Sequence, residues 1–243
     1  PWAPQFIKNI AADKIAAILI SYLPYAGVRP AQFVMMEEWT GNMLSLLDSH
    51  FSQHQYILGA PSMADFALAG PLVAHLARDP WPKNNLISRH PHLQKWVTRI
   101  QTDNYLDAKD LAFSQNDDIP DSLTPILASI CSEFVPMLEA TADCVKLLHE
   151  NEKFTTGEVP PLPRSTSDIS FPLGECVFTR AGSPFHLWKI QLLLDACSNM
   201  SSEDKAVLAA WLQDQPYDAG DVLKLDFPRV ERDALRVKFV VNA

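Results

Sequence analysis

The stretch YILGAPSMADFALAG, Tyr56 to Gly70, constrains this chain more than any other. A glycine-proline turn leads to Ser62, Asp65 follows three residues later, and a run of small and apolar residues comes next. This is the pattern of a capped helix start. The Ser62 side chain suits the N-cap, and the Asp65 carboxylate can reach back to the amide of the cap itself. A good cap is worth about 1 kcal/mol. The helix it opens is predicted to run to about Arg78, with Phe66, Leu68, Leu72, Val73 and Leu76 spread around most of its girth, which implies a helix surrounded by others.

The neighbouring segments also read as helices. Phe6, Ile7, Ile10, Ile15, Ile18 and Leu19 recur at steps of three and four before Pro24 and Gly27. A second helix is expected from Pro30 to about Phe51, with Phe33, Met36, Trp39, Met43 and Leu47 on one face. Asp79 to Pro82 end the capped helix, and Pro91 opens another with Leu93, Trp96, Val97 and Ile100 on its buried side. Residues 1–105 therefore form a helical domain, and residues 106–243 an extension of helices and a small sheet.

In that extension Ser122 is expected to cap a long helix kinked at Pro136. A proline-rich linker, EVPPLPRSTSDI from Glu158 to Ile169, comes next. ISFPLG and ECVFTRAG read as a hairpin or two short strands, and Ser183 with Pro184 starts another helix. Ser201 and Asp204 repeat the capping box, and VLKLDF and LRVKFVV alternate like strands. The fold class is mainly α, with an α+β tail.

Composition excludes several functions. With 29 acidic against 20 basic residues the net charge is −9, and the basic residues are scattered, which argues against nucleic acid or an anionic membrane as partner. The run from Ile15 to Leu23 is too short to cross a bilayer, so no membrane segment is expected. Cys131, Cys144, Cys176 and Cys197 show no metal-site spacing and read as buried thiols in a reducing, cytoplasmic setting. The chain opens on Pro1 with no signal-peptide pattern and is expected to be a fragment.

Gly59, Ser62, Ala64 with Asp65, and the downstream HPHLQKW from His90 to Trp96 together resemble the helical C-terminal domain of the glutathione transferase superfamily. FALAGPLVAHLARDPWP and SPFHLWKIQ are similar to a bacterial branch of transferase-like proteins with a further C-terminal region. The resemblance implies a glutathione transferase C-terminal-like bundle followed by a smaller α+β extension, a capping box that stabilises without doing chemistry, and a possible homodimer. It also implies glutathione as co-substrate, bound by a thioredoxin-like domain absent from these residues, and thiol transfer to a small electrophile. The alternative is a non-catalytic binding or assembly module on the same scaffold.

Tyr22, Tyr25, Met35 and Trp39 are candidates to line an apolar substrate pocket, with core packing as the alternative for Trp39. Arg180, His186 and Trp188 could form a polar mouth. His90 and His92 lie two apart at a helix start and face different sides, which argues against a metal. No G-x-S-x-G elbow or glycine-rich phosphate loop occurs, so the catalytic residue is unassigned.

Overall fold

A computed structural model describes residues 4–102, 111–113, 118–151, 159–215 and 219–240. The helices are α1 (Gln5–Tyr22), α2 (Phe33–Gln53), α3 (Met63–Pro71), α4 (Pro80–Asn85), α5 (Pro91–Gln101), α6 (Thr124–Ser129) and α7 (Val135–Asn151). Strands β1 (Asp168–Leu173) and β2 (Cys176–Ala181) precede α8 (Pro184–Ser198) and α9 (Ser202–Gln213), and β3 (Val230–Asp233) and β4 (Arg236–Phe239) close the order. The chain is mainly helical, with its small sheets toward the C-terminal side. It divides into two compact units, Met35–Ile130 and Pro1–Val34 with Cys131–Ala243.

In the Met35–Ile130 unit the stripe of α5 is buried as its periodicity predicts, whereas that of α2 is shifted: of its expected residues only Leu47 is buried, Met36, Trp39 and Met43 are half-buried, Phe33 is exposed, and Leu44 and Phe51 face the core instead. Leu44, Leu47, Phe51, Leu93, Trp96 and Val97 form one core with Leu72, Ile87, Leu123 and Ile126, and the Phe51 and Trp96 rings stack at 4.9 Å. Pro91 begins α5 as expected, whereas Pro80 begins a short helix, α4, inside the stretch expected only to stop the preceding one. The helix capped by Ser62 ends its regular part at Pro71 and continues as a π-helical turn, Leu72–Leu76. It is not surrounded: Met63 and Phe66 are exposed, and the only fully buried side chain of α3 is Asp65.

The segment after residue 105 contributes to this core through Leu123 and Ile126, and Ser122 does not cap a helix there. Its hydroxyl lies 2.8 Å from Nδ1 of His50, while Pro125 fills the first turn of α6. The irregularity expected at Pro136 falls one turn earlier, as a π-helical turn at Ile130–Phe134, because proline cannot donate into the helical ladder. The continuous helical stretch Asp121–Asn151 is long and apolar enough to cross a membrane by length and composition alone, a measure that core helices of soluble proteins also satisfy. One face of its second half is nevertheless occupied: Val135, Leu138, Thr141, Ala142 and Val145 are buried, and α7 packs on β1.

In the other unit β1 and β2 form the expected antiparallel hairpin, which turns at Gly174. Two glutamines tie strands to other elements. Gln32 donates through Nε2 to the Thr179 carbonyl at 3.0 Å and accepts the Thr179 N–H at 2.7 Å. Gln191 of α8 treats Val230 in the same way, at 2.9 and 3.0 Å. Each side-chain amide stands in for one residue of a neighbouring strand, satisfying backbone groups at a sheet edge. Gly27 lies beside the first clamp at φ +82°, and a Cβ there would overlap the Phe178 ring.

Three expectations for the tail change. VLKLDF is not a strand: Ala219–Lys224 is a 3₁₀ turn with a Lys224–Asp221 ion pair, and the partner of β4 is instead VERD in β3. The EVPPLPRSTSDI stretch is no free linker, because Leu162 is buried and donates its N–H to the Val237 carbonyl, Thr166 donates to Gly182, and Asp168 already belongs to β1; Glu158 lies outside the described residues. The cysteines are free but not buried, with Cys176 exposed and the other three half-buried.

Candidate functional site

The most highly connected polar group is the one the sequence singles out. Ser62 and Asp65 form a capping box, and Asp65 Oδ2 accepts the Ser62 N–H at 3.0 Å and its hydroxyl at 2.8 Å. Oδ1 accepts the Ile57 N–H and the Trp96 indole N–H, each at 3.0 Å. A fully buried carboxylate thus takes four hydrogen bonds and links the two halves of the sequence motif, Ser62–Asp65 and HPHLQKW. Asp48 of α2 completes the arrangement by accepting the His92 and Leu93 N–H groups at 2.8 and 2.9 Å, serving as a cap for α5 supplied by another helix.

His50 was not singled out by the sequence. It is fully buried, with Nδ1 toward Ser122 Oγ and Nε2 at 3.3 Å from the Tyr56 carbonyl, and burial pushes its pKa below the usual histidine value. The 55–57 loop is therefore held residue by residue: the Gln55 carbonyl by Arg99, the Tyr56 carbonyl by His50 and the Ile57 N–H by Asp65. This network is architectural: every polar atom named in it is engaged within the protein, so it offers none to a substrate.

The candidate pocket residues differ in setting. Tyr22 and Tyr25 are exposed, and the Tyr25 carbonyl accepts the Ala181 N–H. Met35 and Trp39 are half-buried on α2. Arg180 and His186 do come together. Burial lowers the pKa of both, and the Arg180 charge lowers that of His186 further. Trp188 instead packs on Phe185, with ring centroids 5.1 Å apart. His90 is held by the Leu86 carbonyl at 2.9 Å, and among the described residues no three His, Cys, Asp or Glu side chains gather to hold a metal.

Among the described residues, the unit that contains the tail holds a larger and a smaller cavity. The larger, about 1080 Å³, has Leu194, Leu208, Leu212, Leu223 and Cys197 on its walls and Lys205 at its edge. The Lys205 ammonium is spent on the Ser198 carbonyl at the end of α8. Ser198, Gln213, Gln215, Asp221 and Lys224 line it as well, so its walls are of mixed polarity. Thiol chemistry has no support at Cys131, whose pKa is pushed up by burial and by the Asp221 carboxylate, away from the reactive thiolate.

No curated protein matches the chain, and no solved structure does. The family model described as "Glutathione S-transferase, C-terminal domain" matches residues 15–103. That range takes in the capping box, the Asp65–Trp96 hydrogen bond and the α2–α5 core. Residues 15–103 are a C-terminal helical domain of the glutathione transferase superfamily.

Proposed function

We propose that the chain is the C-terminal part of a glutathione transferase-like enzyme that adds the thiol of glutathione to an electrophilic small molecule. The family match over residues 15–103 carries this reading. Glutathione would bind an upstream thioredoxin-like domain; among the described residues the two sheets are both two-stranded antiparallel hairpins, which offer no βαβ unit. The helical domain would supply the apolar side of the reaction. Tyr22, Tyr25, Met35 and Trp39 are its proposed contact residues, and each has ring or thioether surface not fully buried. A cytoplasmic location and a homodimer belong to the same proposal.

The alternative, a non-catalytic binding or assembly module, draws on a different observation. The polar network around Asp65 is used entirely for packing. Calorimetric titration of glutathione into this chain, and into a natural form that carries a thioredoxin-like segment upstream, separates the two. The enzyme reading expects saturable binding and conjugation of an aryl halide by the longer form only. Lack of binding by that form leaves the module, and binding by this chain alone relocates the glutathione site to these residues.

A further inference from the structure

A second, smaller cavity of about 340 Å³ lies where the segment entering β1, the first turn of α8 and the β3–β4 turn meet, and among its lining residues are Arg164, Ser183, Phe185, Leu235, Arg236 and Val237. Two arginines line this cavity in a chain with 29 acidic and 20 basic residues, and both are open to solvent. Among the described residues neither Arg164 nor Arg236 has an ion-pair partner within 4.0 Å, whereas Arg29 and Arg229 pair with Asp168 and Asp195. Asp233 is the register partner of Arg236 across the hairpin and still does not pair with it.

The rest of the lining has complementary chemistry. Ser183 is the N-cap of α8, yet its side chain makes no capping hydrogen bond, so its hydroxyl can serve a ligand. Phe185 supplies an aromatic wall, and Val237 and Leu235 an aliphatic one. The Trp188 ring, whose centroid is 5.1 Å from that of Phe185, carries the Lys189 ammonium at 4.9 Å and the Arg232 guanidinium at 5.8 Å, and the same β3–β4 hairpin also bears Asp233 and Glu231, the latter paired with Lys238.

We propose that this cavity binds a small aryl carboxylate, with the carboxylate between the Arg164 and Arg236 guanidinium groups and the Ser183 hydroxyl, and the ring against Phe185 and Val237. The planar guanidinium fork matches a carboxylate through two parallel hydrogen bonds, and the volume lies at the small end of ligand sites, suited to a single ring. The site lies outside residues 15–103, so its failure and that of the transferase reading are independent.

Benzoate titrated into the full chain by calorimetry tests it, with benzyl alcohol and acetate as probes that lack the charge or the ring. The expected result is saturable benzoate binding on the order of 1 mM or tighter, which weakens as salt is raised, with both control probes at least about tenfold weaker. Arg164→Gln and Arg236→Gln are each expected to weaken benzoate about tenfold or more. Arg236→Lys is expected to lie between wild type and Arg236→Gln, since it keeps the charge and loses the fork. Both arginines are exposed, so the variants are expected to melt as wild type does. Absence of saturation in the wild-type chain overturns the proposal whatever the variants do. So does benzoate affinity equal to that of acetate, or unchanged in the Arg164→Gln/Arg236→Gln double variant.

Discussion

The chain contains the same four-residue motif twice, and the two copies differ in what they hold together. Ser62 and Asp65 open α3, and Ser201 and Asp204 open α9. At α9 the contacts are local: Ser201 Oγ accepts the Asp204 N–H at 3.0 Å and donates to Asp204 Oδ2 at 2.7 Å, both groups are exposed, and α9 buries no residue. At α3 the carboxylate is fully buried and holds the 55–57 loop and the α5 indole as well as its own helix. A motif marks where a helix begins. How much stability depends on it is decided by the groups that arrive from elsewhere in the chain.

The sharpest test of that contrast is one substitution made twice. Asp65→Asn puts an NH₂ group against a Ser62 N–H or against the Ile57 and Trp96 donors, so at least one buried donor loses its acceptor. We expect it to lower stability by about 3 kcal/mol, against under about 0.5 kcal/mol for Asp204→Asn. Chemical denaturation of both variants measures this, and equal effects would break the comparison. Trp96→Phe follows at about 2 kcal/mol, from the lost indole donor and the space left beside Phe51. A double-mutant cycle of Trp96→Phe with Asp65→Asn should return less than the sum of the two, because they share a hydrogen bond.

How much of this was legible in the sequence depends on the distance over which each signal acts. The stripe of α5 and its proline start are local patterns and read correctly, whereas the face that α2 buries, with Leu44, Leu47 and Phe51, is set by the helices that meet it. Ser62, Asp65 and Trp96 were each visible, but the bond between Asp65 and Trp96 spans 31 residues and leaves no local trace. The glutamine clamps are a harder case. Gln32 sits in an otherwise ordinary helix start and meets a strand 147 residues away, and nothing in its neighbours distinguishes it from a solvated amide. VLKLDF misled for the opposite reason: its alternation is genuine, but the Lys224–Asp221 pair fits a tight helical turn equally well. The basic residues described as scattered in sequence are gathered in part, at Arg164 and Arg236, only when β4 folds back on the segment before β1.

The Asp65 neighbourhood should also carry a pH signature, through His50. Burial lowers the pKa of His50, so the native state binds fewer protons there than the unfolded chain, whose histidine titrates near about 6.5. Stability from this group is therefore fully present above about pH 6.5 and is lost as the pH falls through that value toward the lower folded pKa. Thermal melts from pH 7.5 down to 5 should show a falling midpoint, and His50→Gln should flatten that slope even if it lowers stability at neutral pH. A slope unchanged by the substitution would assign the loss to other groups.

The smallest effect tests the other side of the comparison. Ser201→Ala removes the acceptor for the Asp204 N–H, and a cap of this kind is worth about 1 kcal/mol or less when exposed. Since α9 buries no residue, opening of its first turn need not pass through global unfolding, and the loss should appear as local fraying. Hydrogen exchange should thus speed up for the amides of the first turn of α9, while the global melting midpoint stays within error of wild type. Ser62→Ala is expected to do the reverse, lowering the global midpoint by about 1 kcal/mol of stability without selective fraying, because α3 opens only when the Asp65 network does. A shared pattern in both variants would mean that burial of the carboxylate does not couple its helix to the core.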